Sequence, residues 1–273
     1  MNVAVIGCGY IGSEVAMLWK NRGLHITATT RRPEKLKNLT AVAQKGVLLK
    51  GNDLTEFLPL LTSNEIILVT IGADAAEDYT AAYRNTAQFI RSFAVESDLP
   101  KRLIYTSSAS VYGDHQGKWV DEESQRLGKT EQEKILIETE DIYRSLIEFG
   151  WNITILRLAE IYGPERELSK KVKQITRPLA GIGNQYTNLI HKTDCVSAID
   201  YCLRHHLNGI YNLVDDDHPT RKELYQKIAK KFHLPEPQWD PALTSPHAGN
   251  KRVSNHKIKG EGFVFMHPHR VID

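Results

Sequence analysis

Across residues 2–30 the spacing of apolar positions changes period twice. Val3, Ala4, Val5 and Ile6 form a run too short for a helix that ends at a glycine cluster, as a buried parallel strand does. From Tyr10 onward Ile11, Val15, Leu18 and Trp19 recur at helical spacing until Asn21 and Gly23 supply a stop. A second apolar, β-branched run over 24–30 follows. Further strands are expected over 46–50, 65–71, 101–106, 152–157 and 209–214. A helix is expected over 76–97, with Tyr79, Tyr83, Phe89, Ile90 and Phe93 at core-facing spacings. Another is expected over 193–206, with Thr193 and Asp194 as its N-cap arrangement. A third, over 220–232, is amphipathic, with Leu224, Ile228, Ala229 and Phe232 on one side. Strands alternating with helices at this cadence imply a parallel, doubly wound sheet. Residues 234–250 hold most of the late prolines and read as a loop able to close over a substrate.

The turn between the first strand and the first helix carries Gly7, Gly9 and Gly12 in the pattern G-x-G-x-x-G. The first glycine permits a tight turn, the second lets backbone approach a pyrophosphate, and the third lets helix and strand pack closely. The helix start, through the backbone of Tyr10 and Ile11, then faces the phosphates. Strand, glycine turn, helix and strand in this order is the context in which the motif means dinucleotide binding. At the end of the second strand an NAD site wants a carboxylate for the ribose 2′-hydroxyl, whereas an NADP site wants arginine. The chain offers Thr30, Arg31 and Arg32, and arginine grips phosphate through its fork of donors. NADP is therefore preferred, with NAD left open.

Composition narrows the class without changing it. The 273 residues are 41% hydrophobic and 25% charged with a net charge of +2, an ordinary globular balance that calls for no nucleic-acid partner. Cys8, Cys195 and Cys202 are scattered and form no C-x-x-C pair, which fits a reducing compartment. The first strand begins at residue 2 and leaves no room for a signal peptide, and no apolar run reaches membrane-span length, so a cytoplasmic protein is expected. His205–His206 and His267–His269 are tempting as metal ligands, but adjacent His pairs rarely share one helix face and no Cys or carboxylate completes the set, so no metal is expected.

After the fifth strand the chain reads Thr106-Ser107-Ser108-Ala109-Ser110-Val111-Tyr112-Gly113. With Arg157-Leu158, Ile161-Tyr162-Gly163-Pro164, Leu189-Ile190-His191 with Asp194, and Gly209-Ile210-Tyr211-Asn212, it resembles an extended or atypical short-chain dehydrogenase/reductase of the NAD-dependent epimerase/dehydratase group. The likeness covers nearly the whole chain in family order. It implies an α/β doubly wound Rossmann fold with a small C-terminal substrate lobe. The cofactor domain is then 1–166 plus 193–214, and the lobe 167–192 plus 215–273. It further implies that Ser108 hydrogen-bonds a substrate oxygen, that Asp53 and Leu54 contact adenine, that Gly72 and Ala73 line the cofactor, and that Pro164 lies near the nicotinamide. Thr106 and Ser107 are expected to satisfy backbone groups.

One departure stands out. The family's acid/base is a tyrosine four residues before a lysine, and none of the eleven tyrosines here has a lysine four residues later. Aligning the helix that follows puts Lys129 at the lysine position and Gln125 at the tyrosine position. Gln donates a hydrogen bond but shuttles no proton. A substitute is then expected from a water held by Ser108 and Lys129, from the Tyr112 hydroxyl, or from the substrate. The expected function is an NAD(P)-dependent oxidoreductase or epimerase/dehydratase acting on a small hydroxyl or carbonyl compound. The alternative is a redox-inactive NADP-binding regulator. A small-molecule partner is expected, no nucleic acid or membrane, and homodimerisation stays open.

Overall fold

The computed structural model describes residues 1–51, 53–73, 78–244 and 249–272. The first part runs β1 (Asn2–Ile6), α1 (Gly12–Asn21), β2 (His25–Thr30), a 3-10 turn (Pro33–Asn38), α2 (Leu39–Val42), β3 (Lys45–Leu48), α3 (Leu54–Ser63) and β4 (Ile66–Val69). A π-helical stretch (Thr80–Asn85) leads into α4 (Thr86–Glu96), followed by β5 (Arg102–Ser108), β6 (Trp119–Val120), α5 (Glu131–Ser145) and β7 (Asn152–Leu158). The remainder is β8 (Glu160–Tyr162), α6 (Leu168–Lys173), β9 (Leu179–Ala180), β10 (Leu189–His191), α7 (Lys192–Arg204), β11 (Gly209–Leu213), α8 (Arg221–Phe232), β12 (Trp239–Asp240), β13 (Arg252–Val253) and α9 (His256–Gly260).

Seven strands form one sheet in the order β3-β2-β1-β4-β5-β7-β11. Val5 pairs in parallel with Ala28 on one side and Leu68 on the other, and Leu68 in turn pairs with Ile104. The chain first builds outward from β1 to β3, then returns to lay β4 on the other side of β1. That reversal opens a crevice at the carboxyl ends of β1 and β4, where doubly wound sheets bind ligands. Central strands with no polar side are what a sheet covered on both faces requires, and Val3 to Ile6 and Ile66 to Val69 are all buried. The doubly wound α/β fold expected from the periodicity is the fold observed.

Three local expectations need correction. The helix expected over 76–97 enters through π-helical backbone before α4, and Ala76 and Glu77 lie outside the described residues. The loop expected over 234–250 contains β12, whose Trp239 pairs in parallel with Leu179 of β9, and its residues 245–248 also lie outside the description. Asp194 stands in the first turn of α7, but its carboxylate accepts from the backbone of Met266 and His267, 72 and 73 residues away. Cap patterns report local donors only, so a distant claim on the same carboxylate is invisible to them.

Contacts divide the chain into two compact units. The first comprises Met1–Ser107, Glu131–Leu156 and Val196–Ile210, and the second Ser108–Thr130, Arg157–Cys195 and Tyr211–Asp273. In the first unit Phe57, Leu61, Ile67, Ile90, Leu103 and Ile153 belong to one buried cluster. Trp19 of α1 donates its indole N–H to Asp200 of α7, a carboxylate that Arg22 and Arg204 also hold. In the second unit Leu168, Val172, Leu224, Ile228 and Tyr162 make a separate core. Among the described residues no helix is long and apolar enough to cross a membrane.

Candidate cofactor and substrate sites

The three glycines of the first turn sit in different surroundings. Gly7 has φ +93°, and a Cβ there would lie 2.7 Å from the Thr70 carbonyl oxygen. A Cβ on Gly12 would collide with the Gly7 carbonyl. Among the described residues a Cβ on Gly9 would meet nothing within 4 Å. The first and third glycines are therefore demanded by the fold, and the second is left bare toward open space. Thr29 fixes the turn, its hydroxyl accepting from Gly7 N–H at 3.1 Å and its carbonyl from Cys8 N–H at 2.9 Å. No side chain caps the start of α1 at Ile11, so its first N–H groups are not claimed by a cap. Burial pushes the Cys8 thiol up, which suits a packed residue rather than a nucleophile.

Arg31, at the end of β2, donates through Nη2 to the Gly72 carbonyl beyond β4 at 3.3 Å. It thus bridges the two strand ends that flank β1. Arg32 follows with its N–H on the Thr30 hydroxyl at 3.1 Å. Ala73 bonds through its backbone to the Tyr83 hydroxyl, whose pKa burial pushes up to about 12. Asp53 caps α3, accepting from Thr55 and Glu56 N–H groups through Oδ1. The Thr55 hydroxyl, which also donates to that oxygen, is the main cause of a carboxyl held below its usual range. Leu54 is the half-buried first residue of the same helix.

The residues assigned to chemistry lie apart from one another in character. Ser108 closes β5 and accepts the Ser110 N–H on Oγ at 3.1 Å, which leaves its O–H proton to donate elsewhere. Tyr112 is fully buried; its hydroxyl donates to Asn212 Oδ1 at 2.7 Å and accepts from Arg157 Nη1 at 2.9 Å. Burial, only partly offset by Arg157, pushes its pKa up to about 12. Gln125 and Lys129 are exposed and precede α5. Their segment pairs with the turn after Tyr112, Leu127 N–H donating to its carbonyl, and Gln125 accepts from the His115 ring through its own carbonyl. The lysine four residues after the tyrosine is a helical pairing, one residue stacked a turn from the other, and α5 begins only at Glu131. Pro164 is exposed.

Thr106 satisfies a backbone group as expected, donating to the Val69 carbonyl at 3.4 Å. Ser107 instead donates to Glu140 Oε1 at 2.7 Å. Glu140 is fully buried on α5, and neither periodicity nor motif reading singled it out. Its signal was available: Leu136, Thr139, Glu140 and Tyr143 form the buried face of α5, and a carboxylate on such a face asks for a partner.

The second unit contains a cavity of about 350 Å³. Leu168, Leu224 and Ile228 give it an apolar side, while Glu160, Lys171 and Arg221 supply charge. Lys171 is ion-paired with Glu160. Burial opposes its charge most strongly, but Glu160 and the nearby Tyr225 together outweigh it and raise its pKa. Arg221 lies 5.8 Å from the Tyr225 ring and 5.4 Å from the Trp239 ring. Gln185 Oε1, also in the cavity wall, is buried with no hydrogen-bond partner among the described residues. Such an acceptor is costly unless a ligand supplies the donor.

The fold gives His267 the carboxylate that the sequence did not show, that of Asp194. Its Nδ1 lies 3.0 Å from Asp194 Oδ2, and its ring centroid lies 3.9 Å from that of His191. These partners are 73 and 76 residues away in the chain, beyond any sequence spacing rule.

Residues 3–213 match the model of the NAD dependent epimerase/dehydratase family. Protein YeeZ of Escherichia coli strain K12 is 29% identical over 97% of this chain and 96% of its own. A conserved protein of unknown function from Silicibacter pomeroyi superposes with a TM-score of 0.81 at 24% identity, over 98% of this chain and 94% of that one. The UDP-glucose 4-epimerase of Thermus thermophilus, solved with NAD, gives a TM-score of 0.81 at 17% identity over 97% and 94%.

Proposed function

Because the chain belongs to the NAD dependent epimerase/dehydratase family, we propose that it is an NADP-dependent enzyme acting on a small, sugar-derived hydroxyl or carbonyl compound. The observation that carries the cofactor half is the bare Gly9 beside two glycines that the fold itself demands. A cradle that a Cβ would fill, at the uncapped start of α1, fits a pyrophosphate. Arg31 and Arg32 fit a ribose 2′-phosphate, and Asp53, Leu54, Gly72 and Ala73 the adenosine side. When bound, the dinucleotide supplies hydride transfer. The phosphate and adenosine contacts of the cofactor belong to the first unit, and the substrate takes the 350 Å³ cavity within the second. There Gln185 Oε1 takes a substrate hydroxyl, and Arg221 and Lys171 favour an anionic substrate.

The chain's own acid/base equipment is thin. Ser108 keeps a proton to donate to a substrate oxygen. Tyr112 is better cast as a positioning residue, since a phenol held near 12 and bonded on both sides gives up no proton near neutrality. Lys129, exposed, serves at most to orient water. Pro164 is assigned to the nicotinamide side. The second reading, a redox-inactive NADP-binding regulator, is favoured by one observation: the buried face of α5 carries Leu136, Thr139, Glu140 and Tyr143 and no tyrosine–lysine pair.

Titration of NADP⁺ and NAD⁺ against intrinsic fluorescence tests the cofactor. NADP⁺ should bind tenfold to a hundredfold more tightly, equivalent to about 1.4–2.8 kcal/mol, and replacing Arg31 and Arg32 with Ala should erase the preference. Equal affinities in the unmodified protein refute the NADP assignment. NADPH oxidation on a panel of sugar-derived carbonyls then separates the readings: turnover abolished by Ser108→Ala supports the enzyme, and saturable binding without turnover supports the regulator.

A further inference from the structure

His191 ends β10, Asp194 lies in the first turn of α7, and His267 lies in the segment that follows α9. All belong to the second unit. Asp194 is fully buried, and its carboxylate accepts from Met266 N–H at 2.6 Å, His267 N–H at 3.0 Å and the His267 ring at 3.0 Å. His191 is buried as well, while the His267 side chain is 27% exposed. We propose that these three residues form a binding site for a divalent transition-metal ion of the zinc and cobalt class.

The geometry is close to what coordination needs. One ligand atom from each residue lies within 4.8 Å of the other two. With metal–ligand bonds of about 2.0–2.1 Å, neighbouring ligand atoms stand roughly 3.0–3.4 Å apart. His267 Nδ1 and Asp194 Oδ2 already stand at 3.0 Å. An ion takes the place of the proton between them: in the neutral ring the proton shifts from Nδ1 to Nε2, and the freed Nδ1 and the carboxylate oxygen both bond the metal. At His191 an ion bound through Nδ1 displaces the Thr193 N–H, which reaches that nitrogen at 3.2 Å. Gly163 closes the other side of that ring, since a Cβ there would lie 2.9 Å from Nε2. The partly exposed His267 leaves a path for the ion and for waters to complete the shell. Two histidines and one carboxylate with open positions suit a borderline-soft divalent ion rather than Ca²⁺ or Mg²⁺.

The proposal is independent of the cofactor reading. The site also has a structural consequence, because the ion ties the C-terminal segment to β10 and α7. That segment is also held by Asp217, which accepts from Arg270 N–H, and by Tyr162, whose hydroxyl accepts from Val271 N–H.

The test uses the full chain, stripped with chelator and titrated with Co²⁺ and Zn²⁺ while absorbance and thermal stability are read. One equivalent should bind, with Co²⁺ giving visible bands, and melting temperature should rise with ion concentration. His267→Ala and His191→Ala should each weaken binding by at least about ten- to a hundredfold, on the order seen when a metal site loses support. His269→Ala, a neighbouring histidine outside the site, should leave it unchanged. Should either variant fail to fold, Co²⁺-induced shifts of the His191 and His267 ring protons in the unmodified protein decide the matter. No saturable binding at about 100 µM ion, or shifts confined to other histidines, overturns the site.

Discussion

At the scale of single residues, the glycine turn separates two glycines that the fold needs from one that it does not. Gly7 and Gly12 would each drive a Cβ into backbone, whereas Gly9 has open space where its Cβ would go. Gly9→Ala should therefore leave the melting temperature within a degree or two, and lower dinucleotide affinity by about tenfold or more. Thermal unfolding and a fluorescence titration on the same sample check both halves, and unchanged affinity would remove the turn from the cofactor site. The glycine turn itself was legible from spacing, because strand and helix signals flanked it. The bond from Ser107 to Glu140 was not, because a strand residue and a helix residue 33 positions apart carry no local sign that they face each other.

At the scale of elements, α8 shows how far local chemistry reaches. Thr220 accepts the Glu223 N–H on its hydroxyl, and Glu223 accepts the Thr220 N–H on its carboxylate, a reciprocal cap that satisfies two helix-end donors. The same helix buries Leu224, Tyr225, Ile228 and Ala229, so its start and most of its apolar stripe were readable in the sequence, whereas Phe232, expected on that side, is exposed in the last turn and Tyr225, not expected there, is buried. Thr220→Ala should cost about 1 kcal/mol, seen in urea unfolding as a lower midpoint with unchanged slope. A cost indistinguishable from zero would mean that packing of the stripe alone sets this helix. By contrast, the π-helical stretch before α4 left no trace in the pattern. Tyr79 and Tyr83 keep an i, i+4 spacing that an ordinary helix also allows, and their rings meet at 5.0 Å.

At the scale of the whole molecule, stability should respond to acid through His218. Burial first, then the nearby Arg270 and Arg252, lower its pKa from 6.5 to about 4. The unfolded chain therefore takes up this proton near pH 6.5 while the folded chain refuses it until near pH 4. Stability from this group is complete above about pH 6.5 and is lost as pH falls toward about 4, by at most about 3 kcal/mol. His218→Gln should flatten the decline between about pH 7 and pH 5, measured by urea unfolding at each pH; parallel profiles for the two proteins would show that His218 does not set it. Sequence alone determined the parallel doubly wound fold, the glycine turn and the arginine pair after β2. Each rests on neighbours along the chain, where apolar period and backbone freedom act over a few residues. Only tertiary structure decided that Tyr112 is locked between Asn212 and Arg157, that Gln185 faces a cavity, and that His267 meets Asp194 and His191. Those outcomes depend on burial and on distant partners, 45 and 100 residues away in the case of Tyr112, and no local pattern encodes which distant group fills a buried hydrogen bond.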